Sequence, residues 1–264
     1  MKAPEQLESL RQWAAERRTE ARAADGGRVL AVGSAAGGSG TSTVAALLAA
    51  TTAQAGARVL LIDASDRFGG LDPLLGADIA GLQVASLAPS TPAHSLSPSE
   101  RRLALRRILG DATFDLAVID AGATAASLTS VATDGAHLFL AVMRAERISV
   151  TATYALVKLL SSRAPTLPIA LLVNHADAWT GQAAATAVRT AAERFLNRSL
   201  GAVGAVPDDA HLAQAVAAGF GLSEVASGSS AGHALRDIAN LVCTAERPFA
   251  SDLPAPVENT HASR

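Results

Sequence analysis

Aromatic side chains make up only 3% of this 264-residue chain. Its core must therefore be built from Leu, Val, Ile and Ala, which carry most of the 49% hydrophobic content. Cysteine is nearly missing as well. Cys243 stands alone, which excludes a disulfide framework and a cysteine metal cluster and fits a reducing compartment. The six histidines show no metal-ligand spacing on one helix. No apolar run approaches the ~20 residues needed to cross a bilayer. The N-terminus, MKAPEQLESLRQWAAERR, is charged throughout and has no apolar signal core. A net charge of −2 supplies no global basic field, so nucleic-acid binding is not expected. The expected setting is cytoplasmic.

What is present is organised around residues 28–63, RVLAVGSAAGGSGTSTVAALLAATTAQAGARVLLID. An apolar run, Val29 to Val32, enters a glycine-rich loop that opens into an Ala/Leu-rich helix. A second apolar run, Val59 to Ile62, ends on Asp63. Strand, glycine loop, helix and strand ending in a carboxylate form a phosphate-binding βαβ pattern. Close-set glycines let backbone N–H groups face an anion, and the helix N-terminus adds a favourable dipole. One part is absent: the residue before Ser42, where such a loop carries lysine, is Thr41. The glycine spacing does not supply G-x-G-x-x-G either, and a glycine turn of purely structural role is the alternative at this point.

Strand and helix patterns then alternate as far as about residue 246. Residues 4–24 read as a helix with a narrow apolar stripe of Leu7, Leu10 and Ala14, followed by the joint Ala24-Asp25-Gly26-Gly27. Strands are expected at 114–120, 137–143, 169–173 and 200–206, the last ended by Pro207. Helices are expected at about 98–109, 149–163 with Ser149 as a candidate N-cap, 178–196, 209–218 and 231–246, and a helix or long turn at 123–133. Residues 64–76 and the Ser/Pro-rich stretch 86–98 read as loops, and the tail beyond Arg247 has no periodicity. Such alternation implies a mostly parallel sheet with helices on both faces, which binds ligands at the carboxyl ends of its strands. The loop, Asp63, Asp120 and Asn174 all fall at such ends.

These residues resemble the MinD/ParA group of deviant P-loop ATPases, whose loop reads SGKGGVGKTT. Gly37, Gly38, Gly40, Ser42 and Thr43 are in register with it. Ala36 stands in place of the signature lysine and Thr41 in place of the usual P-loop lysine. The segment LLIDAS, 60–65, is similar to the group's hhhDxD, with Ser65 at the second acid and Asp66 beside it. Phe114 to Asp120 looks like a Walker B strand. The resemblance implies a single α/β P-loop NTPase domain of the SIMIBI, MinD-like class, mostly parallel, over 28–247. Residues 1–27 would precede it as a partner-binding helix and joint, and 248–264 would follow as a disordered tail. It also implies nucleotide contacts from Gly37, Gly38, Ser39, Gly40, Thr41, Ser42, Thr43, Asn174, Pro207 and Asp208. Mg²⁺ would be held by Ser42, Asp63 and Asp120, and Asp63 and Asp66 are the candidates for a catalytic role.

Within the group the chain is most similar to FlhG/FleN-type regulators of flagellar number and placement. Glu5-Gln6-Leu7-Glu8-Ser9-Leu10-Arg11 is similar to that family's N-terminal D-Q-A-x-x-L-R helix, with Gln6, Leu10 and Arg11 agreeing. The implied partner of Glu5, Gln6, Leu10 and Arg11 is an FlhF-like SRP-type GTPase. A flagellar switch component or a transcription regulator is a further implied partner, and polar placement would come through partners. Two lysines and the second acid are missing, so the expectation is a pseudo-ATPase: ATP and Mg²⁺ held weakly or not hydrolysed, and the chain a monomer or weak homodimer. Arg67, Arg144 and Arg147 are the candidate replacement cations. The tail, with three prolines and balanced charge, cannot form the basic membrane helix common in the family, so no direct membrane anchor is expected. The alternatives are a TadZ/CpaE-like polar localisation protein of pilus assembly and an active MinD-type ATPase.

Overall fold

The computed structural model describes residues 27–65, 71–76, 78–87, 96–133, 135–218, 221 and 228–244. The expected N-terminal helix with Glu5, Gln6, Leu10 and Arg11, the residues Asp66 and Arg67, and the tail 248–264 lie outside them.

Seven strands form one sheet: β1 (Arg28–Gly33), β2 (Val59–Asp63), β3 (Leu82–Ser86), β4 (Leu116–Asp120), β5 (Leu138–Arg144), β6 (Ile169–Asn174) and β7 (Gly201–Val206). Their order is β3-β2-β4-β1-β5-β6-β7, and every pair is parallel. The helices are α1 (Thr41–Gln54), α2 (Asp72–Leu75), α3 (Pro98–Asp111), α4 (Ala125–Thr133), α5 (Arg147–Arg163), α6 (Ala178–Leu196), α7 (Ala210–Ala217) and α8 (Ser230–Thr244). Alternation along β1 shows the layering. Leu30 and Val32 join a core with α1, α2, α7 and α8, while Val29 and Ala31 join one with α3, α4, α5 and α6. A strand covered on both faces has no polar side, which is why β1, β2, β4 and β6 read as unbroken apolar runs.

Helix α1 is buried almost all round, from Val44 to Ala50 without a break. Its sequence has no polar face for the same reason: β1, β2 and β4 lie beneath it and α8 packs on its outer side. Alanine at 45, 46, 49 and 50 lets those elements approach closely.

One strand is unforeseen and two local readings are corrected. Residues 82–86 form β3, an edge strand whose exposed Gln83 and Val84 disguise it in the sequence. A four-residue helix, α2, interrupts the expected 64–76 loop. Ser149 is not a cap: α5 begins at Arg147 with Glu146 as its N-cap, and the Ser149 hydroxyl accepts from the Arg144 N–H at 2.9 Å. Only Ala145 and Glu146 separate β5 from α5, so the first helical turn folds back onto the strand end.

Candidate functional site

The glycine loop leaves β1 at the middle of the carboxyl edge. Gly38 and Gly40 take φ of 76° and 82°, the left-handed region that L side chains rarely adopt. At Gly40 a Cβ would also lie 2.3 Å from Asn174 Nδ2. The hydroxyls of Ser34 and Ser39 both donate to the Ala36 carbonyl at 2.9 Å, which cinches the loop from inside. Its outside is tied by the Ser34 N–H donating to the Gly122 carbonyl at 3.0 Å. Asn174 Nδ2 reaches across from β6 to the Ser39 carbonyl at 2.9 Å. Helix α1 then starts from Gly40 with no side-chain cap, so its first N–H groups and its dipole face the loop. This is a held anion cradle.

Two carboxylates sit beside it. Asp63 and Asp120 are register partners at the ends of β2 and β4, 6% and 0% exposed. The Asp120 Oδ1 accepts from the Gly122 N–H at 3.0 Å. The Asp63 Oδ1 accepts from both the Ser65 N–H at 3.0 Å and the Ser65 hydroxyl at 2.7 Å. Ser42, also buried, is the second residue of α1. Among the described residues no group of three or more His, Cys, Asp or Glu could hold a metal. A hydroxyl and two carboxylates next to an anion cradle do fit Mg²⁺, which keeps waters and phosphate oxygens rather than an all-protein cage. When bound, the ion would neutralise phosphate charge, with Ser42 as direct ligand and the carboxylates orienting its shell.

On the other side of Asn174 lies a polar group that the sequence did not single out as a unit. His175 takes φ of 54°, unusual for a residue with a Cβ, and its Nδ1 lies 2.9 Å from Asp208 Oδ1. That hydrogen bond, and then the His175 charge, hold the Asp208 carboxyl below the usual carboxylate range, with Arg144 adding a smaller attraction. Arg144, in register with Asn174, pairs through Nε with Glu146 Oε1 at 3.1 Å. Both partners are substantially exposed, so the pair contributes little and leaves the guanidinium at little cost. Pro207 is half-buried beside Asp208.

Among the described residues no lysine brings to this edge the cation that phosphate chemistry asks for, and Lys2 lies outside them. The chain has only Lys2 and Lys158. Lys158 is exposed and lies eleven residues into α5, ~17 Å along the helix from the carboxyl edge. Thr41 is 8% exposed at the start of α1. Of the three candidate arginines, Arg144 lies on the same edge as the cradle, Arg147 opens α5 in an exposed position, and Arg67 is outside the described residues.

No protein-family profile and no curated protein matches this sequence. Solved structures do. The septum site-determining protein MinD of Pyrococcus horikoshii, complexed with Mg-ADP, superposes with a TM-score of 0.66 at 17% identity, covering 81% of this chain and 95% of that one. A ParA-family ATPase of Chlorobium tepidum gives 0.64 at 21%, covering 82% and 98%. The MinD of an Aquifex aeolicus MinC:MinD complex gives 0.64 at 19%, covering 85% and 98%.

The fold is that of the MinD/ParA P-loop ATPases.

In MinD/ParA terms the sequence-predicted residues 37–43, Asp63, Asp120, Asn174, Pro207 and Asp208 all gather on one sheet edge. Two bonds were not legible in advance. Ser65 was read as a missing acid, but nothing in the sequence showed its hydroxyl on Asp63. Asn174 is expected to contact nucleotide, and its donation to Ser39 depends on the loop after β1 reaching past the end of β5 to β6, which no local pattern encodes. Among the described residues, no helix is long and apolar enough to cross a membrane.

Proposed function

We propose that this chain is a nucleotide-holding regulator of FlhG/FleN type, acting on flagellar number, placement or assembly, whose ATPase cycle is arrested. The observation that carries the arrest is the 2.7 Å bond from the Ser65 hydroxyl to Asp63. Where the group has an acid to orient the attacking water, this chain has a hydroxyl turned onto its neighbour's carboxylate. Loss of a cation that stabilises the transition state costs ~10³–10⁵ in rate, and the loop supplies none. Loss of the same cation from ground-state binding costs only about 1.5–3 kcal/mol. Hydrolysis therefore suffers far more than binding, and the intact cradle is what remains useful.

Calorimetry with Mg-ATP, with phosphate release followed in the same sample, tests this. Binding without turnover, lost in Asp63→Ala, is the expected result. Turnover at the rate of relatives with intact lysines overturns the arrest. The flagellar part rests on the resemblance of residues 5–11 and on the order of the downstream motifs. An FlhF-like GTPase should be retained by the full chain and released when residues 1–24 are deleted. Retention by the truncated chain removes the role given to residues 5–11, and no retention by the full chain removes the flagellar assignment and favours the pilus-localisation alternative.

A further inference from the structure

We propose that the N-terminal segment docks in cis at the amino edge of the sheet, with its Leu7–Leu10–Ala14 stripe in an apolar cleft there. The cleft, about 410 Å³ in volume, lies opposite the nucleotide edge, between the end of α1 and the start of β3. Ala53, Gly56, Ala57, Ile79, Ala80 and Gly81 line it, and Arg58 stands at its rim. This is at the lower end of the ~300–1,000 Å³ range of binding clefts.

The place where the segment joins the domain selects it as the occupant. A Cβ on Gly27 would lie 2.2 Å from the Phe114 carbonyl and 2.4 Å from its ring, so the chain enters the domain pressed against Phe114. From there a relay of hydrogen bonds crosses the amino edge to the cleft. The Arg28 N–H donates to the Asp115 carbonyl at 3.0 Å, and the Asp115 N–H donates to the Arg58 carbonyl at 2.8 Å. The Asp115 carboxylate accepts from the Arg58 N–H at 2.8 Å and from its Nη2 at 2.6 Å. The Val59 N–H donates to the Gly81 carbonyl, on the far rim, at 2.7 Å.

The lengths agree. β3 lies three strand spacings from β1, ~14 Å. A helix running back from residue 24 places Ala14 ~15 Å and Leu10 ~21 Å away. A helix laid along this edge therefore brings its apolar stripe over the cleft, and the glycines of the joint permit the turn. Docked so, the segment is stowed on the face away from the nucleotide. It follows, if residues 5–11 do engage a partner, that undocking precedes engagement; this consequence rests on the proposed function, whereas the docking does not.

Disulfide trapping in the full-length chain tests the docking without any partner. In a Cys243→Ser background, Arg11→Cys is combined with Ala80→Cys at the cleft, or with Trp179→Cys at the opposite edge as control. The expected result is an intramolecular disulfide in the cleft pair, formed at least tenfold faster than in the control. Adding Leu7→Glu and Leu10→Glu should abolish that advantage. Equal rates in the two pairs, or indifference to the glutamates, overturn the proposal. Disulfide-linked dimers as the main product also overturn it, since the occupant is then a second copy.

Discussion

Gly40 carries two constraints at once, and they can be separated. Its φ of 82° penalises any L side chain by ~1–2 kcal/mol, and its contact with Asn174 leaves no room for a methyl group. Gly40→Ala should therefore destabilise the protein by about 2–3 kcal/mol, counting the loss of the Asn174 to Ser39 hydrogen bond. In an Asn174→Ala background the same change should cost about 1 kcal/mol less, because the clash is gone and only the strain remains. Urea unfolding of the four proteins measures this coupling, and strict additivity would show that Asn174 yields freely. Thr41 gives the complementary prediction. Thr41→Lys restores a charge-assisted donor and should tighten Mg-ATP binding ~10–100-fold by calorimetry. Turnover should remain far below that of an intact relative, because Ser65 still holds Asp63.

Asp209 links two elements that are separated in sequence. Its Oδ1 accepts from the Leu212 N–H at 3.0 Å in the first turn of α7. Its Oδ2 accepts from the Ser230 hydroxyl at 3.1 Å and the Ala231 N–H at 3.2 Å at the start of α8. These bonds, that from Leu212 foremost, lower its carboxyl from 3.8 to about 2. A carboxyl depressed in the folded state stabilises above its unfolded pKa, and that stabilisation is lost as pH falls from about 4 to about 2. Asp209→Ala should cost about 1–2 kcal/mol at pH 7, or roughly 2–8 °C in Tm. The gap from the parent should close as thermal melts are taken to pH 2; a gap that persists would show that packing, not charge, is what the substitution removes. Elements were legible where burial is two-sided or one face is strongly marked. β1, β2, β4 and β6 announced themselves as apolar runs, and α5 and α6 by their period. β3 did not, because an edge strand with exposed Gln83 and Val84 has neither signature. Ser149 misled because a serine at a helix start satisfies the capping pattern, whichever neighbouring N–H its hydroxyl takes.

The whole molecule is a sheet whose central strand carries its chemistry, and the site's backbone was more legible than its side-chain bonding. Glycines and strand-end acids are encoded locally, whereas Asn174 on Ser39 joins residues 135 apart. The ATP-bound dimers implied by the resemblance use a signature lysine, and Ala36 holds that position here. Light scattering should therefore give a monomer mass with and without Mg-ATP, and a dimer formed only with nucleotide would require another bridge between copies. The placement of β1 has one more consequence, for synthesis on the ribosome. The Val29 N–H donates to His137 Nδ1, 108 residues later, and β5 is β1's neighbour on that side. Translation at ~5–20 residues per second leaves β1 and the glycine loop waiting on the order of ten seconds for β5 and then Asn174. For that interval β1 lacks its β5 neighbour and α1 lacks the α8 cover on its outer side, so nascent chains stalled short of residue 174 should be protease-sensitive and dependent on chaperones.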